Sequence, residues 1–197
     1  MKDTALLLVD LQNDFLDPRG AYGRGGQANA AIAALPGKLE PLVRLARGNG
    51  AIIGATLFTL VPGRGGEPMI APHLKALRPF LAKGDFAPGA WGHQLVDALA
   101  PVDFNIEKIA YSAFYMTRLE WVLRKAGITR LIVGGIVTNG GVASTVRDAH
   151  VRDIEVTVLE DGCAAFSADT HRAAIEGLRP VATITTIAET MQALAAG

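Results

Sequence analysis

Short apolar runs alternate with amphipathic stretches along this chain, and the alternation predicts an α/β fold. Residues 5–9 are apolar at every position, as in a strand that is buried on both faces. Residues 37–47 instead place Leu39, Leu42 and Val43 at helical spacing before a glycine stop. The same reasoning predicts strands at 5–9, 51–60, 103–107, 130–136, 155–159 and 181–185, and helices at 37–47, 117–126, 140–151, 169–178 and 188–196.

The order of these elements predicts a three-layer αβα sandwich. Strands that alternate with helices favour a Rossmann-like, six-stranded parallel sheet with helices on both faces. The helix at 117–126 carries a possible capping box, with Thr117 as the cap and Glu120 three residues later. We expect one domain over residues 1–197, with ligands bound beyond the carboxyl ends of the strands.

Composition limits the classes of partner that the chain is expected to bind. Half of the residues are hydrophobic, and 19 basic residues balance 19 acidic ones, which argues against nucleic acid. The apolar runs are too short to cross a membrane, and the start of the chain leaves no room for a signal peptide. One cysteine cannot form an internal disulfide. We therefore expect a cytoplasmic protein that acts on a small molecule.

Polar residues or glycines follow three predicted strands. Asp10 follows the first, where a carboxylate is costly unless it is paired or functional, and capping the next turn is the alternative. Lys108 follows the third, although most lysines are simply solvated. Residues 134–142 are glycine-rich and join the fourth strand to a helix. Main-chain N–H groups favour an anion there, and a tight packing turn is the alternative.

Five short segments carry a recognisable order and spacing. They are Asp-Leu-Gln-Asn-Asp-Phe from Asp10, Pro-Gly-Ala-Trp-Gly from Pro88, Tyr-Ser-Ala-Phe from Tyr111, Gly-Ile-Val-Thr-Asn from Gly135 and Ser-Thr-Val-Arg-Asp-Ala from Ser144. Together they resemble the isochorismatase-like (cysteine hydrolase) superfamily. The resemblance covers residues 5–189 and implies a small-molecule hydrolase.

Amide-cleaving members of this superfamily use an Asp–Lys–Cys triad. The resemblance places Asp10 and Lys108 at the first two positions, but the cysteine position falls on Gly141. It also implies a cis peptide bond between Val137 and Thr138, and main-chain amides of Thr138 and Gly141 directed at the substrate oxygen. Loss of a covalent nucleophile costs about a millionfold in turnover, so a thioester route is not expected. Cys163 is interpreted as a packed thiol and not as a replacement nucleophile.

Isochorismatases offer a second chemistry within the superfamily, because they hydrolyse a vinyl ether and resemble this chain in having glycine at the cysteine position. Asp10 would then be the general acid, water would attack the cation formed, and Lys108 would orient the acid or hold a carboxylate. Two alternatives stay open. One is an amide (C–N) hydrolase with an altered or lost nucleophile, and the other is an inactive metabolite-binding homologue.

The resemblance also suggests substrate-binding residues. The turn contributes Val137, Thr138, Asn139 and Gly140, and the sequence of these residues resembles that of the amidases. Arg64, after the second strand, is a candidate carboxylate ligand, although a mobile surface arginine is the alternative. Aromatic candidates are Phe15, Trp91 and Tyr111, although aromatic residues more often belong to the core. The four histidines lack a metal-binding spacing, so no metal or cofactor is expected, whereas a homodimer or homotetramer is expected from the relatives.

Overall fold

A computed structural model describes residues 2–196 of the chain. Within this range the strands are β1 (Thr4–Val9), β2 (Ile52–Phe58), β3 (Phe104–Lys108), β4 (Arg130–Ile136), β5 (Glu155–Ala164) and β6 (Thr183–Thr185). The helices are α1 (Asn13–Leu16), α2 (Ala21–Arg24), α3 (Ala30–Ala33), α4 (Leu35–Gly48), α5 (Pro72–Leu77), α6 (Leu119–Lys125), α7 (Ala143–His150), α8 (Ala168–Glu176) and α9 (Ile187–Ala196). None of these helices is long and apolar enough to cross a membrane.

The strands form one parallel sheet in the order β3-β2-β1-β4-β5-β6, which confirms the predicted fold class. The central strand β1 pairs on both sides, so that Leu7 lies opposite Gly54 of β2 and Val133 of β4. The chain winds outward from β1 to β3 and then returns to the other side of β1. This reversal opens a crevice between the carboxyl ends of β1 and β4.

Alternate residues of β1 supply two separate cores, one on each face of the sheet. Leu7 and Val9 pack with α6 and α7, whereas Leu6 and Leu8 pack with α4 and α9. All four side chains are at most 1% exposed. Burial of a leucine or valine stabilises a fold by about 1.5–3 kcal/mol, so the continuous apolar run is what fixes this strand at the centre.

Several element boundaries differ from the predictions. β5 continues to Ala164, because a register shift between Val133 and Gly135 of β4 lets the strand pass through the polar and glycine positions that suggested its end. The predicted capping box at the start of α6 is wrong. The carboxylate of Glu120 lies 2.9 Å from both Arg124 and Arg152, and these ion pairs take it away from the helix terminus.

Candidate active site

Asp10 follows β1 directly, and its main chain has a left-handed conformation. Asp10 has a φ of 55°, a conformation that aspartate adopts more readily than most residues. Its N–H group donates to the main-chain O and to Oγ1 of Thr56, at 3.2 and 3.1 Å. The neighbouring strand β2 therefore fixes the direction of the Asp10 side chain.

Asp10 and Lys108, which the sequence predicts as site residues, form a buried ion pair. Lys108 Nζ lies 2.6 Å from Asp10 Oδ2, and the two side chains are only 1% and 6% exposed. Thr56 Oγ1 donates to the other carboxylate oxygen at 2.6 Å, and Lys108 Nζ also donates to Ala110 O at 3.0 Å. Burial raises the pKa of Asp10 against the lowering effects of Lys108 and Thr56. The effect of burial on the pKa of Asp10 is therefore larger than the effect of the neighbouring ammonium.

The polar residues that follow this carboxylate fix the loops around the site. The buried amide of Gln12 accepts from the N–H of Phe58 and donates to the carbonyl oxygens of Phe58 and His93, at 2.8, 3.0 and 2.9 Å. Asp14 accepts from the N–H of Phe86 at 2.6 Å. Irregular loops have few main-chain partners, and buried main-chain groups must be paired. The motif after β1 supplies those partners and is therefore a positioning device.

A turn between β4 and α7 forms the opposite side of the crevice. It begins with a cis peptide bond between Ile136 and Val137, one residue earlier than the predicted Val137–Thr138 bond. One wide helical turn, Thr138–Val142, then leads into α7. The predicted helix at 140–151 thus starts as this wider turn and becomes α-helical only at Ala143.

Gly141 in this turn lies directly beside the ion pair. A Cβ atom placed on Gly141 would be 3.1 Å from Asp10 Oδ2 and 2.8 Å from the main-chain oxygen of Ile136. With the main chain in this position, the space next to the Asp10 carboxylate has room for a glycine but not for a side chain. A residue with a side chain here would have its Cβ beside Asp10, and the main chain near Ile136 would have to shift, because real Cβ atoms do not approach a main-chain oxygen to 2.8 Å.

The other residues of the turn face in different directions. Val137 lines the crevice. Thr138 is fully buried, and its hydroxyl lies 2.8 Å from Nδ1 of His171. Asn139 is exposed, whereas Gly140 is buried close to the ring of Tyr111. The side chains of Thr138 and Asn139 thus lie outside the cavity lining.

A largely apolar cavity of about 580 Å³ opens at the ion pair. Its apolar wall comes mainly from β2, α5 and the connections that follow β2 and β3, with single residues from α1, the β4–α7 turn and the segment after β5. The members of this wall are Phe15, Phe58, Leu60, Val61, Met69, Ile70, Ala71, Leu74, Leu81, Ile109, Ala110, Val137 and Phe166. The polar members are Asp10, Lys108, Thr59, Tyr22, Tyr111 and Arg78, and Gly141 contributes main-chain atoms. The volume is within the range of small-molecule sites.

Three of the predicted substrate-binding side chains line this cavity, whereas Arg64 and Trp91, like Thr138 and Asn139, lie elsewhere. Phe15, Val137 and Tyr111 are in the wall. Arg64 is exposed on the connection after β2 and does not line the cavity, as expected of a solvated guanidinium. Trp91 is 43% exposed, and its ring packs under the guanidinium of Arg19, with 4.6 Å between the guanidinium carbon and the ring centroid.

The Thr59 hydroxyl and the Cys163 thiol, both near the site, make structural contacts. Cys163 is buried in β5 with Sγ 3.9 Å from Val133 O, and burial raises the pKa of its thiol to about 12, consistent with a packed thiol. Thr59 donates to Leu57 O at 2.9 Å, so the His93 ring, 2.8 Å away through Nε2, must donate to Thr59. His93 therefore does not act as a base toward this hydroxyl. Within residues 2–196, no group of three or more His, Cys, Asp or Glu is arranged to hold a metal ion.

Comparison with known proteins agrees with this geometry. The isochorismatase domain family matches residues 4–189. The chain belongs to the isochorismatase family of hydrolases.

Individual relatives within this family include amidohydrolases. The chain is 33% identical over 171 residues to the ureidoacrylate amidohydrolase RutB of Caulobacter vibrioides, covering 81% of this chain and 76% of the relative. It is similar to the solved cysteine hydrolase of Pseudomonas syringae pv. phaseolicola, with a TM-score of 0.84 and 27% identity over 99% of this chain and 93% of that one. The N-carbamoylsarcosine amidase of Thermoplasma acidophilum shares the fold, with a TM-score of 0.74 and 23% identity over 94% and 96% of the two chains.

Sequence reasoning missed two features of this isochorismatase-family site. Arg78 lines the cavity, and no local pattern in the loop after α5 distinguishes it from the exposed Arg64. Gln12 was visible in the first motif, but its role depends on Phe58 and His93, which are remote in the sequence. An amide side chain two residues after a strand-end carboxylate is the signal that would have found it.

Proposed function

We propose that this chain hydrolyses a small molecule through Asp10, Lys108 and a water molecule, without a covalent cysteine intermediate. The observation that carries the proposal is the position of Gly141. It occupies the place beside Asp10 where the family resemblance puts the nucleophilic cysteine, and it has no side chain. The chain's one cysteine is packed inside β5, where its raised pKa keeps it as a thiol.

The environment of Asp10 supports a role as general acid. Burial raises its pKa, so the carboxyl holds a proton at a higher pH than an exposed aspartate does. Lys108 and Thr56 fix its two oxygens, which orients the acid toward the cavity. In amide hydrolysis, the second candidate below, the main-chain amides of the Gly141 turn are the proposed ligands of the negative charge that develops on the carbonyl oxygen.

A vinyl ether like that of isochorismate is the best-defined substrate class for this arrangement. The Asp10 carboxyl would protonate the terminal carbon of the double bond and leave an oxocarbenium-like carbon. Water would add to that carbon and return a proton to the Asp10 carboxylate. The resulting hemiketal would then break its C–O bond and release an alcohol and a ketone. The step consumes one water, needs no oxidant or metal, and restores the enzyme.

Hydrolysis of an amide C–N bond is the second candidate, because the relatives include a ureidoacrylate amidohydrolase and the turn has the amidase-like Val137-Thr138-Asn139 sequence. Asp10 would then act as the base for the attacking water, and Lys108 would stabilise the charge that develops. An amidase of this kind would form no acyl-enzyme. A Gly141→Cys variant should introduce a reactive thiol beside Asp10 and increase amide hydrolysis.

A panel of vinyl ethers and amides, assayed by mass spectrometry in D₂O, tests the proposal. Vinyl ether hydrolysis should place one deuterium in the methyl group of the ketone product. Activity should survive iodoacetamide and the Cys163→Ser control, whereas Asp10→Asn should lose about 10²–10⁴-fold, the usual contribution of a general acid. Loss of activity on alkylation, or full activity of Asp10→Asn, would refute the mechanism. Turnover of amides alone would select the second candidate, and binding without turnover would favour a non-catalytic homologue.

A further inference from the structure

Arg78 presents an unpaired positive charge to the cavity. It follows α5 and is half-buried, with Nε donating to the Tyr22 hydroxyl at 3.1 Å and Nη2 donating to the Tyr111 hydroxyl at 3.3 Å. Across the described residues no carboxylate lies within ion-pair distance of this guanidinium. Arg78 therefore lies beside the apolar cavity without the negatively charged partner that a partly buried guanidinium normally has.

The hydroxyls of Tyr22 and Tyr111 add hydrogen-bond donors beside Arg78. Each hydroxyl accepts a hydrogen bond from Arg78, so each keeps its own proton for a further acceptor. Tyr22 is held in place by stacking on Phe166, with ring centroids 5.4 Å apart and an interplanar angle of 10°. Two hydroxyls and the remaining guanidinium N–H groups are therefore available as donors to one anion.

The charges of the cavity decide which anion fits. With Asp10 ionised, Asp10 and Lys108 neutralise each other at 2.6 Å, so Arg78 leaves the cavity lining with one net positive charge. A planar monoanion matches one guanidinium, whereas a phosphate dianion would need a second cation. The chemistry therefore points to a carboxylate, for which the arginine fork is geometrically suited.

The position of Tyr111 connects this set of donors to the reaction centre. Its ring lies against Gly140, where an added Cβ would be 3.3 Å from the ring, and its hydroxyl reaches Arg78. One tyrosine side chain thus spans the interval between the Gly140–Gly141 turn and the guanidinium. The wall around this interval is apolar and includes Leu74 and Leu81.

We propose that Arg78, Tyr22 and Tyr111 bind a carboxylate of the substrate, and that an apolar segment joins this carboxylate to the group that reacts at Asp10. Arg78 is then a specificity-determining residue that selects amphipathic acids over neutral molecules of the same shape. The inference rests on the proposed function only in naming the bound molecule a substrate. The anion site itself makes no assumption about the reaction.

A binding experiment tests the site separately from turnover. Phenylbutyrate and phenylbutyramide have nearly the same size and differ in charge, and calorimetry gives the affinity of each. Hydrogen bonds to a charged group contribute enough that the wild type should prefer the carboxylate by about tenfold or more. Arg78→Gln should reduce this preference to about twofold or less, and Arg78→Lys should keep part of it, because lysine retains the charge but lacks the fork.

Two further variants make the result decisive. Arg64→Gln removes an exposed arginine from the connection after β2 and should leave the preference unchanged. Tyr111→Phe removes one hydroxyl donor and should weaken carboxylate binding only, which keeps the test valid if Arg78→Gln does not fold. Equal affinity of the wild type for both probes, no measurable binding of the carboxylate at millimolar concentration, or an equal loss for both probes in Arg78→Gln would overturn the proposal. None of these outcomes depends on activity, so failure of the proposed mechanism is recognised separately.

Discussion

The Asp10–Lys108 pair should show strong energetic coupling in a double-mutant cycle. At the observed separation of 2.6 Å and an effective dielectric constant of about 20, two unit charges attract each other by about 6 kcal/mol. Moving each ion out of water costs several kcal/mol, so the pair as a whole contributes little net stability. Removal of one partner is different, because it leaves the other charge buried and uncompensated, at a cost of about 3–5 kcal/mol.

The cycle compares Asp10→Asn, Lys108→Met and the double variant by urea unfolding. Each single variant should lose about 3–5 kcal/mol of unfolding free energy, and the double variant should lose less than the sum by at least about 2 kcal/mol. Domains have about 5–15 kcal/mol of stability, so the cycle requires a wild-type value above about 5 kcal/mol, which the same urea titration measures. Asparagine keeps the hydrogen bond to Thr56, and methionine fills the space of the lysine stem.

A surface pair supplies the matched control. Arg44 and Glu40 lie 3.2 Å apart on α4, and their side chains are 65% and 40% exposed. The corresponding Glu40→Gln and Arg44→Met cycle should give only about 0.3–0.5 kcal/mol of coupling. If the buried pair couples no more strongly than this exposed pair, the description of Asp10 and Lys108 as a desolvated ion pair is refuted.

Three other predictions concern the thiol, pH and glycine. Burial raises the pKa of Cys163 to about 12, so iodoacetamide should label it in denaturant but hardly at all in the native protein at neutral pH, and rapid native labelling seen by mass spectrometry would contradict this. Burial lowers the pKa of His93 below its ordinary value of 6.5, so its share of the stability is present above that value and is lost as pH falls through the folded-state pKa. His93→Gln should therefore flatten the fall in unfolding free energy between about pH 7 and pH 5, and an unchanged slope would refute the assignment. Gly135→Ala should prevent stable folding, because Gly135 has a φ of 131° and a Cβ would lie 2.2 Å from Val9 O, whereas Gly37→Ala, with nothing within 4 Å, should stabilise α4 by up to about 1 kcal/mol in thermal unfolding.

The sequence predicts the parts of the fold that depend on local pattern. The apolar run of β1 and the predicted strand at 130–136 match the structure closely, because a strand buried on both faces leaves an unbroken apolar signature. The end of β5 and the role of Glu120 were predicted wrongly because each depends on a partner that is remote in sequence. Gly135 allows the register shift in β4, and Arg152 competes for the glutamate.

The candidate site divides in the same way. Asp10 follows β1 and Lys108 ends β3, and the carboxyl ends of these parallel strands share one edge of the sheet, so topology alone brings the two residues near each other. The wall of the cavity comes mainly from loops, where the direction of each side chain depends on tertiary contacts. Arg64 and Arg78 illustrate the difference, since only the hydrogen bonds to Tyr22 and Tyr111 show which arginine faces the cavity.

The pairing of β1 with β4 has a consequence for synthesis of the chain on the ribosome. Thr4 lies opposite Arg130, so the second edge of the central strand is covered only after the chain has been synthesised as far as β4. Until then, β1 exposes a row of unpaired main-chain groups next to leucine side chains, a surface that invites pairing with other chains. A nascent chain that stops before β4 should therefore be prone to aggregation, and the interval before β4 emerges is when a chaperone would protect it most.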